Sequence, residues 1–317
     1  MKQIDICMAT DDNYAPYAGV VISSILEHLS EDYNLVVHVL DGGVSAINKA
    51  YLEELKQNRH FEIHYYSMDN NEFNHCPLTY LSIATYYRLK IGEILSDVRR
   101  VIYLDCDMVA KGDLSEIWNF DLQGSILGAV EDPLSAKNMQ RLKIEPQYFY
   151  FNAGLLLIDL EKWRGEKIQN RLFETLKMRK AELKHQDQDL LNLVLYKQTC
   201  SMPLKFNSQY FPLGYSESRH KEYLESLSSP VVIHYIMADK PWKCSSLVFR
   251  RQDYVQAFKK TPWFLKHKSK CFLRCLMRGP ILLVEFLKYW YKHPICWFKP
   301  KFWRKVKQII FPLAFLR

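Results

Sequence analysis

Residues 101–107, Val101-Ile102-Tyr103-Leu104-Asp105-Cys106-Asp107, read as a strand that runs directly into two carboxylates. Strand side chains alternate between faces with a period of two, so Asp105 and Asp107 point the same way. Paired carboxylates at a strand end suit Mg²⁺ or Mn²⁺, which prefer oxygen ligands. A diphosphate leaving group gains most from such a metal, because the cation neutralises the charge that develops as the bond breaks. Asp-x-Asp triplets are also common on solvated turns, so this pattern alone leaves both readings open.

Outward from this segment, short apolar runs alternate with helical patterns. Residues 4–9, 35–40, 61–66, 126–130 and 154–158 read as further strands, and 16–29, 45–57, 81–91 and 160 to about 178 as helices. Such alternation predicts an α/β fold with a mainly parallel sheet. Ligands of these sheets bind beyond the carboxyl ends of the strands. Polar or acidic residues follow at three such ends: Thr10-Asp11-Asp12-Asn13 after Ala9, Asp105-Cys106-Asp107 after Leu104, and Glu131-Asp132 after Val130. From about 199 to 260 the pattern is irregular and reads mainly as loops.

Three more clusters carry chemistry. Val231-Val232-Ile233-His234-Tyr235 puts a histidine at the end of a β-branched run, and Lys240-Pro241-Trp242 follows six residues later. An imidazole can complete a Mn²⁺ site and a lysine can pair with a diphosphate, although a lone histidine in such a run is more often part of the core. Asn152-Ala153-Gly154 opens the apolar run Leu155-Leu156-Leu157-Ile158-Asp159. His185-Gln186-Asp187-Gln188-Asp189 precedes an amphipathic pattern. Amides and carboxylates this dense either cap a helix, where Asp is favourable, or grip sugar hydroxyls.

Taken in order, ATDDNYAPY (9–17), ATYYRLKIGE (84–93), YLDCDMVAKGDL (103–114), YFNAGLLLIDLEKWR (150–164), HQDQDLLN (185–192) and HYIMADKPW (234–242) resemble one family over roughly residues 3–245. It is the retaining glycosyltransferases that include bacterial lipopolysaccharide galactosyl- and glucosyltransferases and, more distantly, glycogenin. The resemblance implies a GT-A nucleotide-sugar-binding fold with a UDP-hexose donor. It implies that Asp105, Asp107 and His234 ligate Mn²⁺ (or Mg²⁺), that Ala9, Asp11, Asn13, Tyr14 and Cys106 belong to the nucleotide site, and that Lys240 contacts the diphosphate. Arg88, Asp132, Asn152, Asp187 and Gln188 then surround the transferred sugar, with Gln188, Asp187 and Asp132 as candidate catalytic residues. One departure is Met237, where the family usually has Gly three residues after the metal-binding His; Gly tolerates close backbone approach and φ > 0 there.

Charge is unevenly spread. Residues 261–317 hold 13 Lys and Arg against the single acid Glu285, a net of +12, which leaves −4 for the rest of the chain. A slightly acidic body with a basic tail argues against a nucleic-acid-binding domain and suggests an attachment device. The tail also carries Trp263, Trp290, Trp297 and Trp303, four of the seven tryptophans. Interleaved aromatic and basic residues are the composition of a helix lying in a membrane interface, so the expected division is a catalytic domain at 1–260 and a helical membrane-associating tail at 261–317. The eight cysteines form no CxxC pair, which suits a reducing compartment. The first residues lack the apolar core of a signal peptide, and the longest apolar stretch, 280–291, is shorter than a membrane span. The expected location is therefore the cytoplasm, peripheral on the inner face of the cell membrane, with a glycan or lipid-linked acceptor and an anionic membrane surface as partners. The competing readings are a nucleotidyltransferase, disfavoured because ATDDNYAP has no glycine to cradle phosphates, and an inactive membrane-associated protein of the same fold.

Overall fold

The structure, a computed structural model, describes residues 2–77, 82–211, 215–236, 238–243 and 246–266. The chain divides into two compact units, Met1–Ile236 and Met237–Arg317. The first contains a seven-stranded sheet built from β1 (Lys2–Thr10), β2 (Tyr33–Asp41), β3 (Glu62–Ser67), β4 (Arg100–Leu104), β6 (Leu127–Glu131), β7 (Phe151–Asp159) and β8 (Thr199–Ser201), in the order β3-β2-β1-β4-β7-β6-β8. Strands β3, β2, β1 and β4 run parallel, as do β6 and β8, whereas β7 runs antiparallel to both β4 and β6. The expected α/β class with a mainly parallel sheet is what the structure has. The reversed direction of β7 carries no sequence signature, because a strand covered on both faces reads as an apolar run whichever way it points.

The sheet is dry. Ile4, Ile6, Val37, Ile102, Leu127, Leu155 and Leu157 are all fully buried, and each such side chain contributes about 1.5–3 kcal/mol relative to an exposed one. Trp163, Tyr86, Tyr103 and Phe151 are among the largest side chains in the core. The helix Ala15–His28 begins where Asp11 turns the chain, accepting from the Tyr14 N–H at 2.9 Å, and buries Val20, Val21, Ile22 and Ile25.

Some expected elements differ. The helix expected from 160 to about 178 is two, Leu160–Gly165 and Ile168–Arg179, because Lys167 between them sits at φ +52°, a left-handed conformation no helix continues through. Of the helix expected at 81–91, residues 83–90 (Ile83–Lys90) form a 3₁₀ helix, in which side chains three apart eclipse; Thr85 and Arg88 thereby share one face. The region from 199 to 260 is more regular than expected. It holds β8, β9 (Ser208–Gln209), β10 (Val232–His234) and the helices His220–Ser228 and Arg251–Lys259. Strands of two or three residues are too short to display alternation. With β5 (Met108–Ala110) they form a second sheet, β5-β10-β9, tied to the first helix by the Ala110 N–H donating to Ser24 Oγ at 2.9 Å.

The described part of the second unit has its own small aromatic cluster, Trp242 tilted against Tyr254, Tyr254 against Phe258, and Phe258 edge-to-face with Phe264, with centroids 5.8–6.0 Å apart. Residues 267–317, most of the expected tail, lie outside the described residues, as does Met237. Among the described residues no helix is long and apolar enough to cross a membrane.

One helix–strand contact sets the later geometry. In Gln186–Leu195, Asn192 accepts from the Phe151 N–H at 2.8 Å and donates to the Phe151 carbonyl at 2.9 Å, imitating a neighbouring strand. One turn earlier Gln188 accepts from the Ala153 N–H at 3.0 Å. Residues four apart on a helix are separated by about 6 Å and residues two apart on a strand by about 6.8 Å, so the two amides match the backbone of β7. Replacing buried Asn192 with Leu strands two backbone groups; the expected loss is about 2–4 kcal/mol of unfolding free energy, measured by urea denaturation.

Candidate active site

The acidic pair emerges at the carboxyl end of β4. The Asp105 N–H donates to the Gly154 carbonyl at 2.8 Å, and the Asp107 carbonyl accepts from the Tyr235 N–H at 3.0 Å. The peptide between β4 and β5 is thus held by β7 on one side and by the end of β10 on the other. Cys106 turns to the opposite face, its Sγ 3.4 Å from the Ala9 carbonyl. Burial and the two flanking carboxylates push its thiol far above its ordinary range, so it stays neutral.

Antiparallel pairing of β10 with β5 sets His234 opposite Met108. Its Nε2 lies 3.2 Å from Asp107 Oδ1. Ligand atoms of Asp105, Asp107 and His234 all lie within 4.8 Å of one another. Two carboxylates and an imidazole gathered so closely form a donor set that fits Mn²⁺ or Mg²⁺. Burial pushes the Asp105 carboxyl above the usual carboxylate range, with Arg88 pulling against that and Asp107 adding to it. A shared cation relieves both the burial and the repulsion. The imidazole packs closely on β7: a Cβ built on Gly154 meets His234 Cε1 at 2.3 Å. Glycine stands there for room.

Arg88, itself buried, pins this cluster from behind. It donates to Asp105 Oδ1 at 2.7 Å and to the Ala153 carbonyl at 2.6 Å, and its Nε lies 3.2 Å from Asp187 Oδ2. Its guanidinium carbon sits 4.1 Å from the Tyr103 ring centroid, a cation–π contact. Asp187 also accepts from the Thr85 hydroxyl. Burial pushes the Asp187 carboxyl up, and Arg88 and Thr85 draw it down, with a net rise.

The amide cluster is continuous with this one. Gln188 Nε2 donates to Asp132 Oδ2 at 3.2 Å and to the Tyr150 hydroxyl at 3.1 Å, while its Oε1 also accepts from Asn152 at 3.2 Å. Asp132 is buried, which pushes its carboxyl up against bonds from the Leu134 N–H, Asn152 and Gln188. Of the two sequence readings of 185–189, the helix-end role is the one the hydrogen bonds display, and it falls to Asp189. The N-cap position is His185, and Asp189, inside the first turn, reaches back to accept from the Lys184 and His185 N–H groups at 2.7 and 2.9 Å, from Tyr150 at 2.6 Å and from two Arg141 nitrogens. Asp187 and Gln188 point to the cluster instead.

At the end of β1, Ala9, Asp11, Asn13 and Tyr14 fall at or just beyond the carboxyl terminus of the strand. Burial raises the Tyr14 hydroxyl pKa, followed by the carboxylates of Asp107 and Asp11, so Tyr14 shares the electrostatic surroundings of the acidic pair. Lys240 belongs to the second unit. Five participants went unread in the sequence: Thr85, Arg141, Tyr150, Asn192 and Asn207. Asn192 is the last letter of HQDQDLLN and its i+4 spacing from Gln188 was visible. Asn207, in an irregular stretch, left no signal.

Comparison with known proteins establishes the family and the fold. The model of glycosyl transferase family 8 matches residues 5–245. The chain belongs to that family. It is 29% identical over 268 residues to General stress protein A of Bacillus subtilis (strain 168), covering 81% of this chain and 94% of the relative. It is 28% identical over 271 residues to lipopolysaccharide 1,2-glucosyltransferase of Escherichia coli (strain K12), covering 82% and 79%. Among solved structures, galactosyltransferase LgtC in complex with donor and acceptor sugar analogs superposes with a TM-score of 0.74 at 29% identity, covering 82% of this chain and 96% of that one. The chain is a glycosyltransferase with the GT-A fold, as the six segments implied.

The contact at Gly154 yields a direct test. Gly154→Ala forces the His234 ring or the β7 backbone to move, and overpacking of this kind costs about 1–3 kcal/mol. Thermal or urea unfolding should register that loss, and a crystal structure of the variant should find His234 turned away from Asp107.

Proposed function

We propose that this family 8 enzyme transfers a hexose, galactose or glucose, from a UDP-sugar to a hydroxyl of a glycan acceptor with retention of configuration, giving an α-linkage. The convergence of Asp105, Asp107 and His234 at the carboxyl end of the sheet, beside an amide–carboxylate cluster, carries this reading. When bound by those three residues, Mn²⁺ (or Mg²⁺) supplies Lewis acidity to the leaving diphosphate. The chain's own groups do the rest. Arg88 holds Asp105 and Asp187 in register, and Ala9, Asp11, Asn13, Tyr14 and Cys106 line the nucleotide site. Asp132, Asn152, Asp187 and Gln188 present directed donors and acceptors to the sugar, and Lys240 pairs with the diphosphate.

The hydrogen-bond commitments favour a front-face reaction over a covalent intermediate. A double displacement needs a carboxylate or amide oxygen free to attack the anomeric carbon. Asp189 is engaged by Arg141, Tyr150 and two backbone N–H groups; Asp187 by Arg88 and Thr85; Asp132 by the Leu134 N–H, Asn152 and Gln188; and Gln188 Oε1 accepts from Ala153 and Asn152. In a front-face route the departing phosphate takes the acceptor proton and these residues only position and stabilise charge. The family match disfavours a nucleotidyltransferase, and the assembled site disfavours an inactive relative.

The acceptor we favour is a bacterial envelope glycan such as lipopolysaccharide, in keeping with the E. coli relative's name, reached from the cytoplasmic face of the membrane. The catalytic domain in this reading is 1–260, and the basic–aromatic segment 261–317 is a peripheral anchor, argued from composition alone. Each Lys or Arg near an anionic leaflet contributes about 1 kcal/mol.

Two experiments test this. Asp107→Asn should weaken Mn²⁺ binding and lower turnover by about a hundredfold or more, and chelation should abolish wild-type UDP release from UDP-galactose or UDP-glucose until Mn²⁺ is restored. Full activity in chelator sinks the metal. Full-length protein should sediment with anionic vesicles and leave them at high salt; protein that stays in the supernatant at low salt sinks the anchor.

A further inference from the structure

The two-ligand-atom problem of every metal-binding histidine is which ring nitrogen carries the proton. Here hydrogen-bond logic answers it from a backbone group that has no choice. The Gly154 N–H can only donate, and it lies 3.0 Å from one side-chain atom of Asn152; that atom is the amide oxygen. The Asn207 atom 3.0 Å from the same oxygen must then be its NH₂ group. The other end of the Asn207 amide is therefore its oxygen, and it lies 3.1 Å from His234 Nδ1. An acceptor at that distance requires the proton on Nδ1. Nε2 is left facing Asp107, the nitrogen through which the ring can ligate a metal.

A second backbone anchor agrees. The Ala153 N–H donates to Gln188 at 3.0 Å, which makes that atom Oε1, and the Asn152 atom 3.2 Å from it must be the NH₂. Gln188 is then left with Nε2 towards the Asp132 carboxylate. Both ends of the Asn152 amide are thus oriented independently and consistently. Asn152, Asn207 and His234 are all buried, Asn207 completely, so water does not compete for these bonds and the orientation is held by the protein alone.

We propose that Asn207 is a positioning residue for His234, holding the ring in the Nδ1–H tautomer through an amide relay that starts at the backbone of Gly154. The proposal rests on the metal reading above and deepens it. The same Asn152 amide bonds Asn207 on one side and Gln188 on the other, so one relay orients the metal ligand and the cluster around the sugar. Partners behind a ligating histidine typically govern metal affinity by 10–100-fold.

The test uses the metal-free protein and Mn²⁺ alone. Nitrogen-15 NMR of the imidazole, with the His234 signal identified by its loss in His234→Gln, should find Nδ1 protonated in the wild type. Asn207→Leu, which keeps the volume and removes the acceptor, should lower Mn²⁺ affinity by about 10–100-fold in calorimetry. Asn207→Asp keeps an acceptor for Nδ1–H and should recover most of that affinity, while facing Asn152 Oδ1 with a second acceptor and lowering kcat. An unprotonated Nδ1 in a wild type that binds Mn²⁺ overturns the relay and leaves the metal reading standing. Wild-type Mn²⁺ affinity in folded Asn207→Leu overturns it as well. Failure of the wild type to bind Mn²⁺ strikes the metal reading itself, with the tautomer still readable. If Asn207→Leu does not fold, the wild-type spectrum decides.

Discussion

Buried backbone polar groups must be paired, and at one end of β7 there is not enough sheet to pair them. The ladder with β4 reaches only as far as Leu155, and the ladder with β6 is irregular between Ala129 and Glu131. The peptide groups of Phe151, Ala153 and Gly154 are consequently satisfied largely by side chains: Asn192 takes both groups of Phe151, Gln188 and Arg88 take those of Ala153, and the Asn152 side chain takes the Gly154 N–H, while the Gly154 carbonyl accepts from the Asp105 N–H. Each partner belongs to the site or holds it. The requirement to satisfy one buried strand end thereby draws together residues far apart in the chain.

This arrangement makes the site rigid before any substrate arrives. Side chains whose two ends are both bonded have little rotamer freedom left to lose, which is what electrostatic preorganisation requires. The buried Arg88 serves the same end. A charge out of water is tolerable only when paired, and its pairing with Asp105 and Asp187 links the acidic pair at the end of β4 to the amide–carboxylate helix. Burial pushes the carboxyls of Asp105, Asp132 and Asp187 upwards while their partners pull them down, the balance expected of groups built to face charge rather than solvent.

Neighbouring residues of one short motif have different duties, and geometry assigns them. In Asp105-Cys106-Asp107 the period of two sends the carboxylates to one face and the thiol to the carbonyl of Ala9. In His185-Gln186-Asp187-Gln188-Asp189 the helical turn sends Asp187 to Arg88, Gln188 to β7 and Asp189 back onto the N–H groups before it. Composition alone cannot separate a cap from a ligand when both are aspartate, since the same carboxylate chemistry serves either.

The sequence by itself determined the α/β class, the positions of β1, β2, β3, β4 and β6 to within two residues, and the segments that form the candidate site. It could do so because period-two and period-3.6 patterns and strand-end carboxylates are local properties. It also identified Asp105, Asp107 and His234 as one group, through resemblance rather than through spacing. Only the tertiary structure decided that β7 runs against its neighbours, that β5 and β10 pair to bring His234 onto Asp107, that Gly154 is glycine to admit the imidazole, and that Asn207 stands behind the ring. Those facts are contacts across dozens of residues between strands of two to nine residues, and a one-dimensional pattern holds no record of which short strand will lie beside which.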